Sequence, residues 1–450
     1  RGLGGVTADR RSARRGIDRR IAALAFPALG ALIAEPLFLV VDTALVGHLG
    51  ADSLAGLAVA SAVLSTVVGL MIFLAYATTP QVARRRGAGD LAGALRAGIS
   101  GLWFALGLGA VLAFVLAFAA RPLVGAFGGG ETVSSQALAY LLPSAAGVPA
   151  MLLVFAAAGL LRGLQDTVTP LTVAGIGFAL NAALNVLFIY GFGWGIAGSA
   201  WGTVIAQWAM VIAYLVVIAR HARAAGVGAR PHAADFRHVG QSGGWLFIRT
   251  LGLRAALLAT VGAATVHGAV TTAGYQVVFT LFTLAAFALD ALAIAAQALV
   301  GDALGARDAR AARQVLTRTV WWGAASGVVF GALLAALSPW LGRIFTDDPA
   351  VLALLPPVLL VLALSLPLSG VVFVLDGVLM GAGDARYLAW TSLVNLACYL
   401  PVLWLLTRLA PTGIWALIAL TAGFTLVFML ARAVTLGLRA RGERWIVLGA

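Results

Sequence analysis

The stretch FPALGALIAEPLFLVVDTALVGHLG, residues 26–50, decides the fold. It is apolar enough to cross a bilayer, yet it carries Glu35 and Asp42 and two prolines, Pro27 and Pro36. An Asp at the centre of a spanning helix costs about 2.5–3.5 kcal/mol on insertion scales, so carboxylates placed there mark ion or substrate paths. Glu35 and Asp42 are seven residues apart, which sets them on one helix face about two turns from each other. The plainer alternative puts either carboxylate near a helix end, within reach of headgroup water. Each proline removes a helix hydrogen bond and permits a kink, static or mobile.

Working outward, the rest of the chain has the same character. Hydrophobic residues make up 62% and charged residues 10% of 450, with a mean hydropathy of +1.00, a membrane composition. Runs of about 20 apolar residues give twelve spans, from 21–47 to 412–437. The single cysteine, Cys398, excludes a disulfide framework and a cysteine metal site. The chain has no GxxxxGK[ST] phosphate cradle and no HExxH helix, which argues against an ATP-driven pump and an intramembrane metalloenzyme. No cofactor is expected.

All 30 basic residues are arginines, and their placement explains the net charge of +13 without nucleic acid. They gather in the N-terminal RRSARRGIDRR and in alternate short loops: RRRGAGD (84–90), LRGLQDT (161–167), the 220–238 connection, GARDARAARQVLTR (305–318) and GAGDAR (381–386). The opposite loops hold only Arg121, Arg343 and Arg408. By the positive-inside rule both termini are cytoplasmic. The expected organisation is a cytoplasmic tail (1–20), a six-helix lobe (21–220), a cytoplasmic loop (221–239), a second six-helix lobe (240–438) and a C-terminal tail (439–450).

The two lobes repeat at one offset. GAGD at 87–90 recurs as GARD at 305–308, LRGLQDT at 161–167 as LMGAGDA at 379–385, and GIAG at 195–198 as GIWA at 413–416, each 218 residues on. Six spans per repeat is even, so the repeats are parallel, a natural frame for a cavity that opens alternately to each side. The polar residues do not repeat. Asp42, Asn181 and Asn185 have Thr260, Tyr399 and Leu403 as counterparts. A cluster present in one half only favours function over a requirement of the fold.

Helical rise places Asp42 about 8 Å below the outer end of span 1, with Asn185 at similar depth and Asn181 one turn deeper on the same face. Thr203 and Tyr140 enter their spans by about 10 Å. These oxygens suit either a Na⁺ ion or a carboxyl group that takes up a proton. Structural hydrogen bonding between helices is the competing account of the two Asn. Thr back-bonding and interfacial Tyr are the competing accounts of Thr203 and Tyr140. Arg249 and Arg254, in span 7, are counted as the arginines inside the membrane, with Asp290 in span 8 and Asp376 in span 10. A Glu35–Arg254 pair is expected, and Arg249 is expected beside Asp290 or Asp376, either as gates or as permanent ion pairs.

EPLFLVVDTALVGHLG, QVARRRGAGD, LRGLQDT with LNAALNVLFIYGFGWGIAGSAWGT, LDALAIAAQALVGDALGARD and LDGVLMGAGDAR together resemble the multidrug and toxic compound extrusion (MATE) family, its DinF-like branch above all. The resemblance covers the chain after its tail. It implies an all-α polytopic membrane protein of twelve transmembrane helices in two bundles. It also implies a secondary antiporter, not an enzyme, that exports organic, often cationic, compounds against H⁺ or Na⁺. The expected setting is a bacterial inner membrane, with a small-molecule cargo, no nucleic acid and a monomeric state. Asp42, Asn181 and Thr203 match family cation-site positions. Asn185 departs, since some members carry Asp there; one carboxylate fewer weakens a Na⁺ site and favours H⁺. A flippase for a lipid-linked precursor is the rival, but two intramembrane arginines accompanied by acids favour cationic or amphipathic cargo.

Overall fold

The computed structural model describes residues 3–128 and 130–449, with side chains from residue 15 onward except those of 35–39. Every regular element among them is helical: α1 (Leu3–Gly47), α2 (Ala51–Met71), α3 (Phe73–Gly87), α4 (Leu91–Gly125), α5 (Gly130–Ala145), α6 (Val148–Gly163), α7 (Val168–Val186), α8 (Gly195–Ala224), α9 (Ala233–Val266), α10 (Ala269–Gly305), α11 (Ala309–Phe345), α12 (Pro349–Gly381), α13 (Ala385–Leu409), α14 (Ile414–Ala422) and α15 (Met429–Arg441). Among the described residues ten helical spans are long and apolar enough to cross a membrane, and α5 with α6, bent by 49°, makes another. With α1 the chain has the twelve-span all-helical fold expected of its sequence.

The chain divides into two compact units, Gly30–Gly243 and Arg1–Leu29 with Gly244–Gly449. Within the expected tail, α1 begins at Leu3, and its Asp18 and Arg20 are ion-paired to Arg318 and Asp302.

The 218-residue repeat is visible in the way helices touch. A methyl group built on Gly159 would meet the Ala75 carbonyl oxygen at 2.7 Å, and one on Gly163 would meet that of Thr79 at 2.8 Å. A methyl group built on their counterparts Gly377 and Gly381 would fall even closer to the Ala293 and Gln297 carbonyl oxygens. Both lobes therefore cross the same two helices at the same glycines, the close packing that small residues permit in membranes.

Four turns share a second device. Gly89, Gln165, Arg307 and Gly383 all have positive φ, and the Asp after each donates its N–H back to the carbonyl five residues earlier, at 2.8–3.0 Å. This is a Schellman-type helix end. Asp90, Asp166 and Asp308 then accept from the backbone N–H of Gly93, Thr169 and Ala311 at 2.7, 2.9 and 2.8 Å, capping the next helix. Asp384 instead pairs with Arg439 at 2.6 Å.

Candidate functional site

Asp42 is 1% exposed on α1 and takes three hydrogen bonds from three other helices or their flanks. Tyr140 of α5 donates to Oδ2 at 3.2 Å, Asn185 of α7 donates Nδ2 to Oδ1 at 2.9 Å, and the Ser199 hydroxyl of α8 donates to Oδ1. A second tier lies one turn along. Asn181 Oδ1 accepts from Asn185 Nδ2 at 3.1 Å, and Asn181 Nδ2 donates to Thr203 Oγ1 at 2.9 Å.

The local sequence produces this ladder. Asn181 and Asn185 are four apart on α7, and Ser199 and Thr203 are four apart on α8, so each helix presents two polar rungs on one face. Gly198 and Gly202, on that same region of α8, let the two helices approach. A methyl group on Gly198 would meet the Phe188 carbonyl carbon at 2.8 Å, and one on Gly202 would meet Asn185 Oδ1 at 2.1 Å. Just past Asn185 the helix widens to a π-helical turn, Leu187–Gly191, from which Tyr190 donates to the Leu45 carbonyl at 2.6 Å. That bond fixes the end of α1 beside the ladder.

All five residues expected near Asp42's level are thus in one network. Ser199 is a sixth that sequence reasoning missed. Its signal was present, since it sits one turn before Thr203 in GSAWGT, facing LNAALN. Asn185 Oδ1 is buried and has no hydrogen-bond partner among the described residues. At the repeat-equivalent place in the other lobe, Thr260 bonds Tyr399 at 2.8 Å, and Tyr399 packs on Phe424 and Phe428. Thr260 stands where Asp42 does and Leu417 where Ser199 does, so that lobe has neither the carboxylate nor its hydroxyl donor at these positions.

The second set of expected residues resolves differently. Of the two acids anticipated beside Arg249, Asp376 holds it in a two-point contact, Arg249 Nε lying 3.1 Å from Oδ1. Arg432 Nη2 adds a third bond to Asp376 at 2.9 Å. All three are buried, joining α9, α12 and α15. Counting two arginines within the spans is therefore corrected: Arg432, near the end of span 12, is a third, overlooked because it lies only about two turns before the basic C-terminal residues. Asp290 is half-buried on α10. Arg254 is exposed, and the Glu35–Arg254 pair falls outside the described residues, as does the side chain of Pro36. Pro27 lies within the continuous helix α1.

Comparison with known proteins agrees with this architecture. The chain is 30% identical over 415 residues to Protein DETOXIFICATION 44, chloroplastic, of Arabidopsis thaliana, covering 89% of this chain and 79% of that one. It is 29% identical over 434 residues to DNA damage-inducible protein F of Escherichia coli, covering 93% and 91%. Among solved structures, the Vibrio cholerae MATE transporter VcmN in the bent form superposes with a TM-score of 0.87 at 21% identity, covering 97% of this chain and 99% of that one. The MatE family model matches residues 27–187 and 252–405. This multi-pass membrane protein therefore belongs to the MATE family of transporters.

Proposed function

We propose that this chain is a secondary antiporter that exports organic cationic or amphipathic compounds in exchange for H⁺, with Asp42 as the coupling residue. The observation that carries the reading is the electrostatic setting of Asp42. It is buried at 1% exposure, and the partners it has among the described residues are neutral: Tyr140, Asn185 and Ser199. A buried carboxylate without a basic partner must take up a proton or hold a cation to be neutralised.

The donor set favours the proton. Na⁺ needs oxygen lone pairs turned toward it. Here Asn185 turns an N–H to Asp42, and both hydroxyl partners donate. Asp42 Oδ2 receives one donor and Oδ1 two, so a proton on Oδ2 requires only the Tyr140 hydroxyl to reverse. Protonation removes the charge that strengthens these three bonds, and so weakens the hold of α5, α7 and α8 on α1. With prolines at 27 and 36 the helix bends and repacks, and the cargo leaves the first lobe. Alternating access of the two lobes completes the cycle, in a cytoplasmic membrane with both termini inside.

The test uses purified protein in liposomes under separate proton and sodium gradients. Wild type should export a fluorescent cation when a pH step is applied, and Asp42→Asn should lose that export by tenfold or more. Export by Asp42→Asn at the wild-type rate sinks the coupling role. Lipid scrambling without efflux would instead point to a flippase.

A further inference from the structure

Each of the two compact units contains a segment that belongs, by sequence, to the other repeat. Residues 1–29 lead into the first lobe yet cluster with Gly244–Gly449, while the segment before Gly244 leads into the second lobe yet clusters with Gly30–Gly243. The contacts that hold these two segments centre on one repeat-equivalent pair, Asp18–Trp322 in one and Phe236–Phe104 in the other. In one unit, Asp18 accepts from Arg318 Nε at 2.9 Å, Arg318 Nη2 at 2.6 Å and Trp322 Nε1 at 3.0 Å, and Arg20 pairs with Asp302 at 2.9 Å. In the other, Phe236 packs edge-on against Phe104 with centroids 5.3 Å apart, and Ser100 Oγ accepts the His232 N–H at 3.0 Å. Subtracting 218 from Phe236, Arg318 and Trp322 gives Asp18, Ser100 and Phe104.

The positions coincide while the chemistry does not. One clamp is an ion pair with an indole N–H; the other is a ring pair with a hydroxyl. The second is reinforced by Arg85, which makes a two-point pair with the buried Asp235, and by Trp103, which donates to the Ala229 carbonyl at 2.8 Å. The first turns of α9 then press glycines on aromatic rings: a methyl on Gly240 would meet Phe104 at 3.3 Å, and one on Gly243 would meet Phe73 at 2.8 Å. Residues that differ at every equivalent position yet hold the same two places indicate that the placement itself is what the fold requires.

We propose that 15–29 and 229–243 are exchanged anchors, each a fixed part of the unit opposite to the repeat it introduces. The polypeptide then passes between units at 29/30 in α1 and at 243/244 in α9. Whatever motion of one unit against the other the antiport reading entails is absorbed there, next to Pro27, which gives no N–H to its helix turn, and at the Gly243–Gly244 pair. The 221–239 connection, long and polar in sequence, is thereby a strap and not a slack hinge.

Amide hydrogen exchange on the full-length protein, at acidic and alkaline pH and with or without an organic cation such as ethidium, tests this without relying on transport. Both anchors should stay as protected as the units that hold them under every condition. Arg85→Ala should raise exchange about tenfold in 229–243 and leave 15–29 unchanged. As a functional arm, cysteine pairs closing Asp18 to Trp322 and Phe104 to Phe236, in a Cys398→Ser background, should leave efflux intact once oxidised. Deprotection of either anchor on changing pH or adding the cation overturns the proposal, as does a cross-link that blocks efflux. An inactive wild type with protected anchors would refute the antiport reading alone.

Discussion

Asn185 donates its amide N–H to Asp42 at 2.9 Å, while its own carbonyl oxygen is buried and has no hydrogen-bond partner among the described residues. The amide thus spends its donor on the carboxylate and keeps its acceptor away from it. On the proposed reading this arrangement suits a carboxyl group that takes up a proton.

Asn185→Asp should convert the preference. A second carboxylate supplies the anionic oxygens that Na⁺ favours and replaces the N–H that now faces Asp42. The variant should show a Na⁺-dependent rise in thermal unfolding temperature absent from wild type, since a ligand bound only to the folded state stabilises it. Equal unfolding temperatures in Na⁺ and in choline buffers would contradict this account.

Gly202→Ala should disturb the same residue from the other side. Its new methyl would lie 2.1 Å from Asn185 Oδ1, far inside contact distance. Overpacking of this kind costs about 1–3 kcal/mol and here displaces Asn185 from Asp42. A loss of pH-driven efflux severalfold larger than the loss of folded protein is the expected result, read by liposome assay beside a detergent melting curve. Gly175, by contrast, has open space around its Cβ position, so Gly175→Ala serves as the control.

The Arg249–Asp376–Arg432 triad should behave as a brace. Removing one partner from a buried ion cluster costs about 3–5 kcal/mol because the remaining charges are stranded. Asp376→Asn, which strands two guanidinium groups, should lower the melting temperature more than Arg432→Met, which leaves the Arg249 pair intact. Replacing all three by apolar residues of similar volume should recover most of the stability. If Arg432→Met proved the more damaging, Asp376 would not be the hub of the cluster.

How much of this was written in the sequence varies with the range of the interaction. Hydropathy gives the spans because each must satisfy its own backbone in lipid. The 218-residue offset is equally plain, since GAGD, GARD, LRGLQDT and LMGAGDA are turns whose Asp caps and left-handed residues act within a few positions. The level of Asp42, Tyr140, Asn181, Asn185 and Thr203 also followed from helical rise alone.

What the tertiary structure alone decided depends on which helix faces meet. Counting depth could not add Ser199 to the site, because its inclusion rests on the approach of α7 and α8 at Gly198 and Gly202. Nor could it choose Asp376 over Asp290 for Arg249 or recruit Arg432, which span counting left beside the basic tail. The exchange of the two anchors is a matter of which unit a segment packs against, and apolar periodicity is blind to that. Sequence determined the helices and their repeat because those arise from local backbone chemistry and the solvent around it. Partners across 100 residues or more were settled by packing, where small residues let particular faces close and buried charges accept only the neighbours that neutralise them.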